Sequence, residues 1–266
     1  MAKRLKLPVR SLGSEVENPS LERLASWITD RHGQEGDLFT YKLEESLRCQ
    51  EGVDIPAVGG RMYSPRFREA LPGPKEGYLL EEIILHPDQL VADATHMITL
   101  RKRLWFSIPA PHLLSARDSS ESDSDERSYG VISAYRQVMR SMRDAGVQGH
   151  VLLCDRVIEE ELERLTGRRQ LVYCETADRQ SLSLLLEYQT IVVVPASRLD
   201  LVLTMRDEFD ISQVILVNPD PEHLHSALRE YDPDTIVVGG YCRKECERYW
   251  TQIIGRAEVT LSSPQP

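Results

Sequence analysis

Five short apolar runs recur at near-constant spacing in the C-terminal half of the chain, and this pattern constrains the fold more than any other feature. The runs cover residues 151–154, 171–174, 190–194, 213–217 and 235–238. Their starts at 151, 171, 190, 213 and 235 therefore lie 19 to 23 residues apart. They are apolar without alternation, which is typical of strands covered on both faces. Strands at this spacing, with helical segments between them, predict a parallel sheet with crossover helices.

The fold class that follows is α/β, with an open, mainly parallel, Rossmann-like sheet and an irregular N-terminal accessory region. Residues 1–77 form that accessory region, because glycines and prolines punctuate its second part and one amphipathic helix, 20–31, stands out. Residues 78–266 form the α/β domain. Further strands are predicted at 79–85 and 104–108, and helices at 89–102 and 131–143.

An acidic, serine-rich segment interrupts this domain at residues 115–128 (SARDSSESDSDERS). It has almost no apolar side chains, so it cannot bury enough surface to offset the entropy of ordering. We therefore expect a mobile acidic loop at 115–128.

The charge of the chain limits its partners. Acidic residues outnumber basic ones 42 to 32 among 266 residues, for a formal net charge of −10. Nucleic acid is thus not favoured as a partner, although a local basic patch could bind it. No apolar run is long enough to cross a bilayer, so we expect a cytoplasmic protein without a membrane partner. The N-terminal region is a candidate surface for a protein partner.

Polar and small residues follow the predicted strands, where ligands bind in open parallel sheets. The last predicted strand ends in a double glycine followed by two basic residues at the start of a helix, a pattern that favours anion binding. We therefore predict a site for a small anionic or nucleotide-like ligand. Its candidate residues are Asn218, Asp220, Gly239, Gly240, Arg243 and Lys244. The chain contains neither a GxGxxG fingerprint nor a GxxxxGK[ST] phosphate loop.

Residues 213–244 (QVILVNPDPEHLHSALREYDPDTIVVGGYCRK) also show a family resemblance. A strand, a Pro-Asp turn, a short helix and a strand ending in Gly-Gly resemble a segment of the Trm10 family of SPOUT-class tRNA methyltransferases. The resemblance implies that Asn218, Asp220, Gly239 and Gly240 hold S-adenosylmethionine in an RNA methyltransferase-like role. Arg243 stands where that family has an Asp.

The cysteines suggest a second chemistry. Cys154 and Cys174 each close a predicted strand, and Cys242 and Cys246 lie one helical turn apart. Four thiolates at one sheet edge could bind a soft metal or an iron–sulfur cluster. The alternative is that they are reduced thiols packed in the core.

Two further alternatives remain open at this point. His86 and His112 fall in predicted turns at strand ends, so they could act as acid–base groups or simply be surface or capping residues. The domain as a whole could also be a non-catalytic regulatory or scaffold protein.

Overall fold

The computed structural model of the chain describes residues 3–33, 35–71, 85–114 and 124–261. The strands are β1 Lys3–Lys6, β2 Val9–Ser14, β3 Ala57–Gly59, β4 Trp105–Pro109, β5 Gly149–Cys154, β6 Gln170–Cys174, β7 Ile191–Pro195, β8 Gln213–Val217, β9 Ile236–Cys242 and β10 Glu258–Leu261. The helices are α1 Leu21–Asp30, α2 Leu38–Arg48, α3 Ser64–Ala70, α4 Asp88–Leu100, α5 Ser124–Asp144, α6 Glu159–Leu165, α7 Arg179–Tyr188, α8 Leu199–Met205, α9 Pro221–Glu230 and α10 Cys246–Arg256.

Parallel strands dominate the architecture. One sheet has the order β2-β9-β8-β7 and the other β3-β4-β5-β6, and every ladder within them is parallel. The five strands predicted in the C-terminal half all form, as β5 to β9. A separate antiparallel pair, β1 with β10, joins the two ends of the described chain.

The first sheet meets the second between β2 and β3. The Ser11 N–H donates to the Ile55 carbonyl at 2.9 Å, and the Ile55 N–H donates to the Val9 carbonyl at 3.0 Å. A parallel bridge pairs Arg10 with Ile55. These bonds continue the parallel ladder from one sheet into the next.

The other edges of the two sheets are β6 and β7, and the side-chain amide of Gln189 connects them. Its Oε1 accepts a hydrogen bond from the Val172 N–H of β6 at 3.2 Å, and its Nε2 donates to the Ile191 carbonyl of β7 at 2.8 Å. Because β6 and β7 also lie side by side, β2 to β9 form a closed ring of strands in the described chain.

The side chains inside the ring form a separate apolar cluster to which every strand from β2 to β9 contributes. Its buried members are Leu12, Ala57, Trp105, Val151, Leu153, Leu171, Tyr173, Val193, Ile215, Val217, Val237 and Tyr241. Alternate residues of the same strands, such as Leu152 and Val172, pack outward under the helices. Such a ring, with at least one helix after each strand, is a TIM-barrel-like arrangement.

The expectation of an open, Rossmann-like sheet is therefore wrong, although the expected parallel α/β class is confirmed. The expected irregular region 1–77 contains two strands of the ring, β2 and β3. β3 was not predicted because it has only three residues and lies in a segment rich in glycine and proline. Without those two strands the predicted sheet had free edges and could not close.

Other sequence expectations fall partly outside the described residues. Of the predicted strand 79–85, only residue 85 is among the described residues. Residues 115–123 of the expected acidic loop lie outside them. Residues 124–128 of that loop begin helix α5. The helix expected at 20–31 forms as α1, capped by the Ser20 hydroxyl.

Candidate functional site

The carboxyl ends of the ring strands meet at one mouth, where a cleft of about 320 Å³ opens. It lies at the ends of β6, β8 and β9 and at the first turn of α10. Its lining residues are Tyr173, Glu175, Val217, Asn218, Tyr241, Arg243, Lys244 and Tyr249. The floor is thus largely aromatic and the rim is charged.

Glu15, which follows β2, fixes one wall of the mouth. Its carboxylate accepts hydrogen bonds from the backbone N–H groups of Arg61 at 2.6 Å and Met62 at 2.8 Å. It also accepts the hydroxyl proton of Tyr241, which points in from β9. Burial and the Glu15 charge raise the pKa of Tyr241, so this phenol is neutral at physiological pH.

A second network holds the wall formed by β8 and α10. The Tyr249 hydroxyl donates to the Asn218 side-chain oxygen and accepts the Tyr241 backbone N–H at 2.7 Å. Asn218 has a left-handed φ of 56°, and its own N–H donates to the Gly239 carbonyl at 3.0 Å. Burial raises the pKa of Tyr249, which therefore also remains a neutral hydrogen-bonding group.

Tyr173 differs from the other two tyrosines of the cleft. Its side chain is buried, with 4% of the residue exposed, and it lines the cleft. Within the described chain its hydroxyl has no hydrogen-bond partner. Burial raises the pKa of this phenol as well. A neutral hydroxyl without a protein partner is free to bond a molecule in the cleft.

The lining of the cleft carries two cations and one carboxylate. Arg243 forms an ion pair with Glu175 across the mouth. Lys244 is exposed, and its ammonium has no carboxylate partner among the described residues. Among the side chains that line the cleft, two cations thus stand against one carboxylate, so this part of the rim favours a ligand with a negatively charged group.

A disulfide fixes the loop that carries both cations. Cys242 ends β9 and is bonded to Cys246, the first residue of α10, with 5.5 Å between the Cα atoms. The two cysteines enclose Arg243, Lys244 and Glu245. The expectation that these cysteines are reduced thiols is wrong at this pair, because one helical turn after a strand end brings the two sulfurs together.

The other two cysteines of the expected metal site lie elsewhere. Cys154 and Cys174 are opposite each other in the register of β5 and β6, and they face the helix layer. The hydrogen bond between them raises the pKa of Cys154 and lowers that of Cys174 to about 6. Strand β9 is separated from β6 by β7 and β8 around the ring.

The structure therefore does not assemble the expected four-cysteine site for a metal or an iron–sulfur cluster. No group of three or more His, Cys, Asp or Glu side chains in the described ranges is arranged to hold a metal ion.

Three residues of the predicted ligand site line the cleft: Asn218, Arg243 and Lys244. Asp220 caps the N-terminus of α9, accepting the His223 N–H at 2.9 Å, and is not among the lining residues.

Gly239 and Gly240 lie inside β9 and neither has a positive φ. A Cβ on Gly239 would meet the Ile215 side chain at 2.7 Å, and one on Gly240 would meet the Trp250 ring at 2.7 Å. Close packing thus accounts for glycine at both positions, because a side chain there would clash with its neighbours.

Sequence reasoning missed Glu15, Tyr173, Tyr241 and Tyr249. Tyr173 and Tyr241 adjoin the predicted strand ends, so strand position was the signal that could have identified them. Glu15 gave no such signal because β2 was not recognised.

His112, proposed from sequence as an acid–base candidate, is clamped between two carboxylates. Its Nε2 lies 2.8 Å from Asp155 and its Nδ1 lies 2.9 Å from Glu161. Burial opposes protonation, but the hydrogen bonds and charges of these carboxylates raise the pKa of His112 overall. It connects the loop after β4 to that after β5 and to α6.

No helix within the described residues is both long and apolar enough to span a membrane.

A comparison with one solved structure supports the barrel-like fold. The chain is similar in structure to a B12-independent methionine synthase from Shewanella sp. W3-18-1 in complex with selenomethionine, with a TM-score of 0.61, 14% identity, and coverage of 95% of this chain and 97% of that one. A putative B12-independent methionine synthase from Listeria monocytogenes (TM-score 0.47, 11% identity, 95% of each chain) and a putative lyase/mutase from Burkholderia cenocepacia J2315 (0.46, 10%, 94% of this chain and 80% of that one) are weaker matches.

No family model matches the sequence. No curated protein matches it either.

The predicted resemblance to SPOUT-class methyltransferases is wrong, and with it the expected Rossmann-like site for a nucleotide-like ligand such as S-adenosylmethionine. The segment that carried the resemblance forms β8, α9 and β9 of the ring, where the Gly-Gly pair is strand and not a cofactor loop. The alternative of a cysteine-ligated metal or iron–sulfur protein fails on geometry, because the four cysteines do not come together in the described chain. In fold, the chain is similar to the Shewanella methionine synthase.

Proposed function

We propose that the cleft at the barrel mouth binds a small molecule that has one carboxylate group and an apolar body. The observation that carries this proposal is the pairing of an uncompensated cation on the rim with an aromatic floor beneath it. Lys244 and Arg243 supply the charge that attracts the carboxylate, and an arginine can hold it through two parallel hydrogen bonds.

The floor supports an apolar body for the ligand. Tyr173, Tyr241 and Val217 present ring faces and methyl groups, and a volume of about 320 Å³ suits a ligand of modest size. The free Tyr173 hydroxyl would bond an oxygen or nitrogen of the ligand. A phosphate would gain less here, because the floor offers it no further cation.

The position of the cleft supports a substrate as its occupant. Enzymes built on parallel eight-stranded barrels have their active sites at the carboxyl ends of the strands, where this cleft lies. The fold neighbour with bound selenomethionine provides a precedent for a small carboxylate-bearing ligand on this architecture. The proposal itself depends on the residues of this chain.

Thermal unfolding of the full chain with a panel of small molecules tests the proposal. We expect aromatic and aliphatic carboxylates to raise the melting temperature, because a ligand that binds the native state stabilises it. The corresponding primary amides should have no effect, since they lack the charge.

Two variants and a matched control locate the site. Lys244→Gln and Arg243→Gln should each abolish the shift. Arg248→Gln should preserve it, because Arg248 is an exposed arginine of α10 that pairs with Glu245 outside the cleft lining. The proposal would be contradicted if carboxylates and amides raised the melting temperature equally. It would also be contradicted if Arg248→Gln lost the carboxylate-induced rise as fully as Lys244→Gln and Arg243→Gln.

A further inference from the structure

Arg10 places a positive charge inside the barrel, away from the mouth. It is the second residue of β2, and its guanidinium carbon lies 4.0 Å from the ring centroid of Trp105, the first residue of β4. Both residues are thus near the N-terminal ends of their strands. Arg10 is 5% exposed, and Trp105 belongs to the interior cluster.

The guanidinium of Arg10 lacks polar partners on one edge. Its Nε and Nη2 are buried and make no hydrogen bond, and it has no ion pair with any carboxylate in the described chain. Burial lowers the pKa of Arg10 to about 10, so the group still carries its proton at neutral pH. The charge is therefore present and uncompensated.

The other buried arginine of the described ranges, Arg66, has carboxylate partners. That side chain pairs with Asp37, with Glu69 at 3.2 Å and with Asp93 at 3.1 Å. A buried charge without a partner costs several kcal/mol, which is why buried charges are normally paired. Trp105 offsets part of that cost through its ring face, but it leaves the N–H groups unsatisfied.

The arrangement of the unpartnered atoms indicates what would satisfy them. Nε and Nη2 form one edge of the planar guanidinium, and their N–H bonds point the same way. That edge can hold a single anion through two charge-assisted hydrogen bonds. Protein interiors have few voids larger than a water molecule, so the anion must be small.

We propose that the side-on edge of Arg10 binds a small monovalent anion of the chloride class inside the barrel. This site is independent of the carboxylate site at the mouth. The bound anion neutralises the charge of Arg10, so the stability of the barrel depends on which anion is present.

Thermal unfolding of the full chain in sodium chloride and in sodium gluconate at equal ionic strength tests this site, since gluconate is too large to enter. In chloride the wild-type melting temperature should rise along a saturable curve, by about 3 °C at tenfold excess over the dissociation constant. Arg10→Met should show no chloride-specific rise. Arg168→Met is the matched control, because Arg168 is exposed and has no ion pair in the described chain.

Two further measurements keep the test decisive. Arg10→Lys retains the charge without the two-donor edge, so its chloride response should be weaker. Bromide should quench wild-type tryptophan emission saturably, because it would lie beside Trp105. A wild type that melts alike in both salts and shows no saturable quenching would overturn the proposal and assign the Arg10 donors to water. A chloride rise that persists in Arg10→Met would also overturn it.

Discussion

At the residue scale, the free hydroxyl of Tyr173 distinguishes a binding cleft from a packed barrel end. Tyr241 and Tyr249 donate their protons to Glu15 and Asn218, whereas Tyr173 has no such partner in the described chain. Tyr173→Phe should weaken carboxylate binding about three- to tenfold, because one hydrogen bond contributes about 1 kcal/mol. Isothermal titration calorimetry with the strongest carboxylate of the panel measures this change.

Tyr129→Phe provides the control, because Tyr129 is exposed on α5 and its ring contacts Arg164 outside the cleft lining. Unchanged affinity in Tyr173→Phe would show that this hydroxyl does not contact the ligand.

His112 gives a pH-dependent prediction at the same scale. Its folded pKa is raised above the unfolded value, so its contacts with Asp155 and Glu161 stabilise the fold fully below about pH 6.5 while these carboxylates are ionised. That contribution is lost as the pH rises through the folded pKa. The difference in free energy of unfolding between wild type and His112→Gln should therefore be larger at about pH 6 than at about pH 9.

Urea unfolding at both pH values measures this difference. A difference that grows with pH would mean that His112 is neutral in the folded chain.

At the scale of single elements, the disulfide between β9 and α10 should control the ligand site. It orders the three-residue loop that carries Arg243 and Lys244. Reduction should weaken carboxylate binding about fivefold, because the loop must then be ordered at a cost of about 1 kcal/mol. Cys246→Ser should show the same loss without reductant and no further response to it.

Cys49→Ser is the matched control, because Cys49 is a free, half-buried cysteine. It should remain sensitive to reductant. Equal affinity of oxidised and reduced wild type would disprove the coupling between this disulfide and the ligand site.

The elements of the C-terminal half could be predicted from sequence because each buried strand is a continuous apolar run. β5 to β9 and the helices between them follow from that local signal. The strands of the N-terminal half could not be recognised in this way. β3 has three residues, and β2 contains Arg10, Ser11 and Ser14, whose burial depends on partners distant in sequence.

The same contrast applies to the site. Asn218, Arg243 and Lys244 could be predicted because they directly follow strands that the sequence makes visible. Glu15 could not, since its role depends on closure of the ring between β2 and β9. The Gly-Gly pair was misleading because the same two residues permit a cofactor loop or a tightly packed strand, and local sequence does not distinguish them.

At the scale of the whole molecule, closure of the ring between β6 and β7 depends on Gln189. Gln189→Ala removes two hydrogen bonds, so the free energy of unfolding should fall by about 1–3 kcal/mol. The Val172 amide should also exchange its hydrogen faster, because its acceptor is lost.

Gln148→Ala is the matched control, because the side chain of Gln148 is exposed and makes no hydrogen bond in the described chain. If both variants were equally stable, Gln189 would not join the two sheets.

The central claim is that a closed parallel barrel presents a carboxylate site at the mouth formed by β6, β8 and β9. A crystal structure of the full chain soaked with 4-bromobenzoate tests it most directly, because the anomalous signal of bromine locates the ligand. We predict a closed ring of strands, a bromine peak over Tyr173, Tyr241 and Val217, and the carboxylate between Arg243 and Lys244. An open sheet, or a bromine peak outside this cleft, would contradict the account.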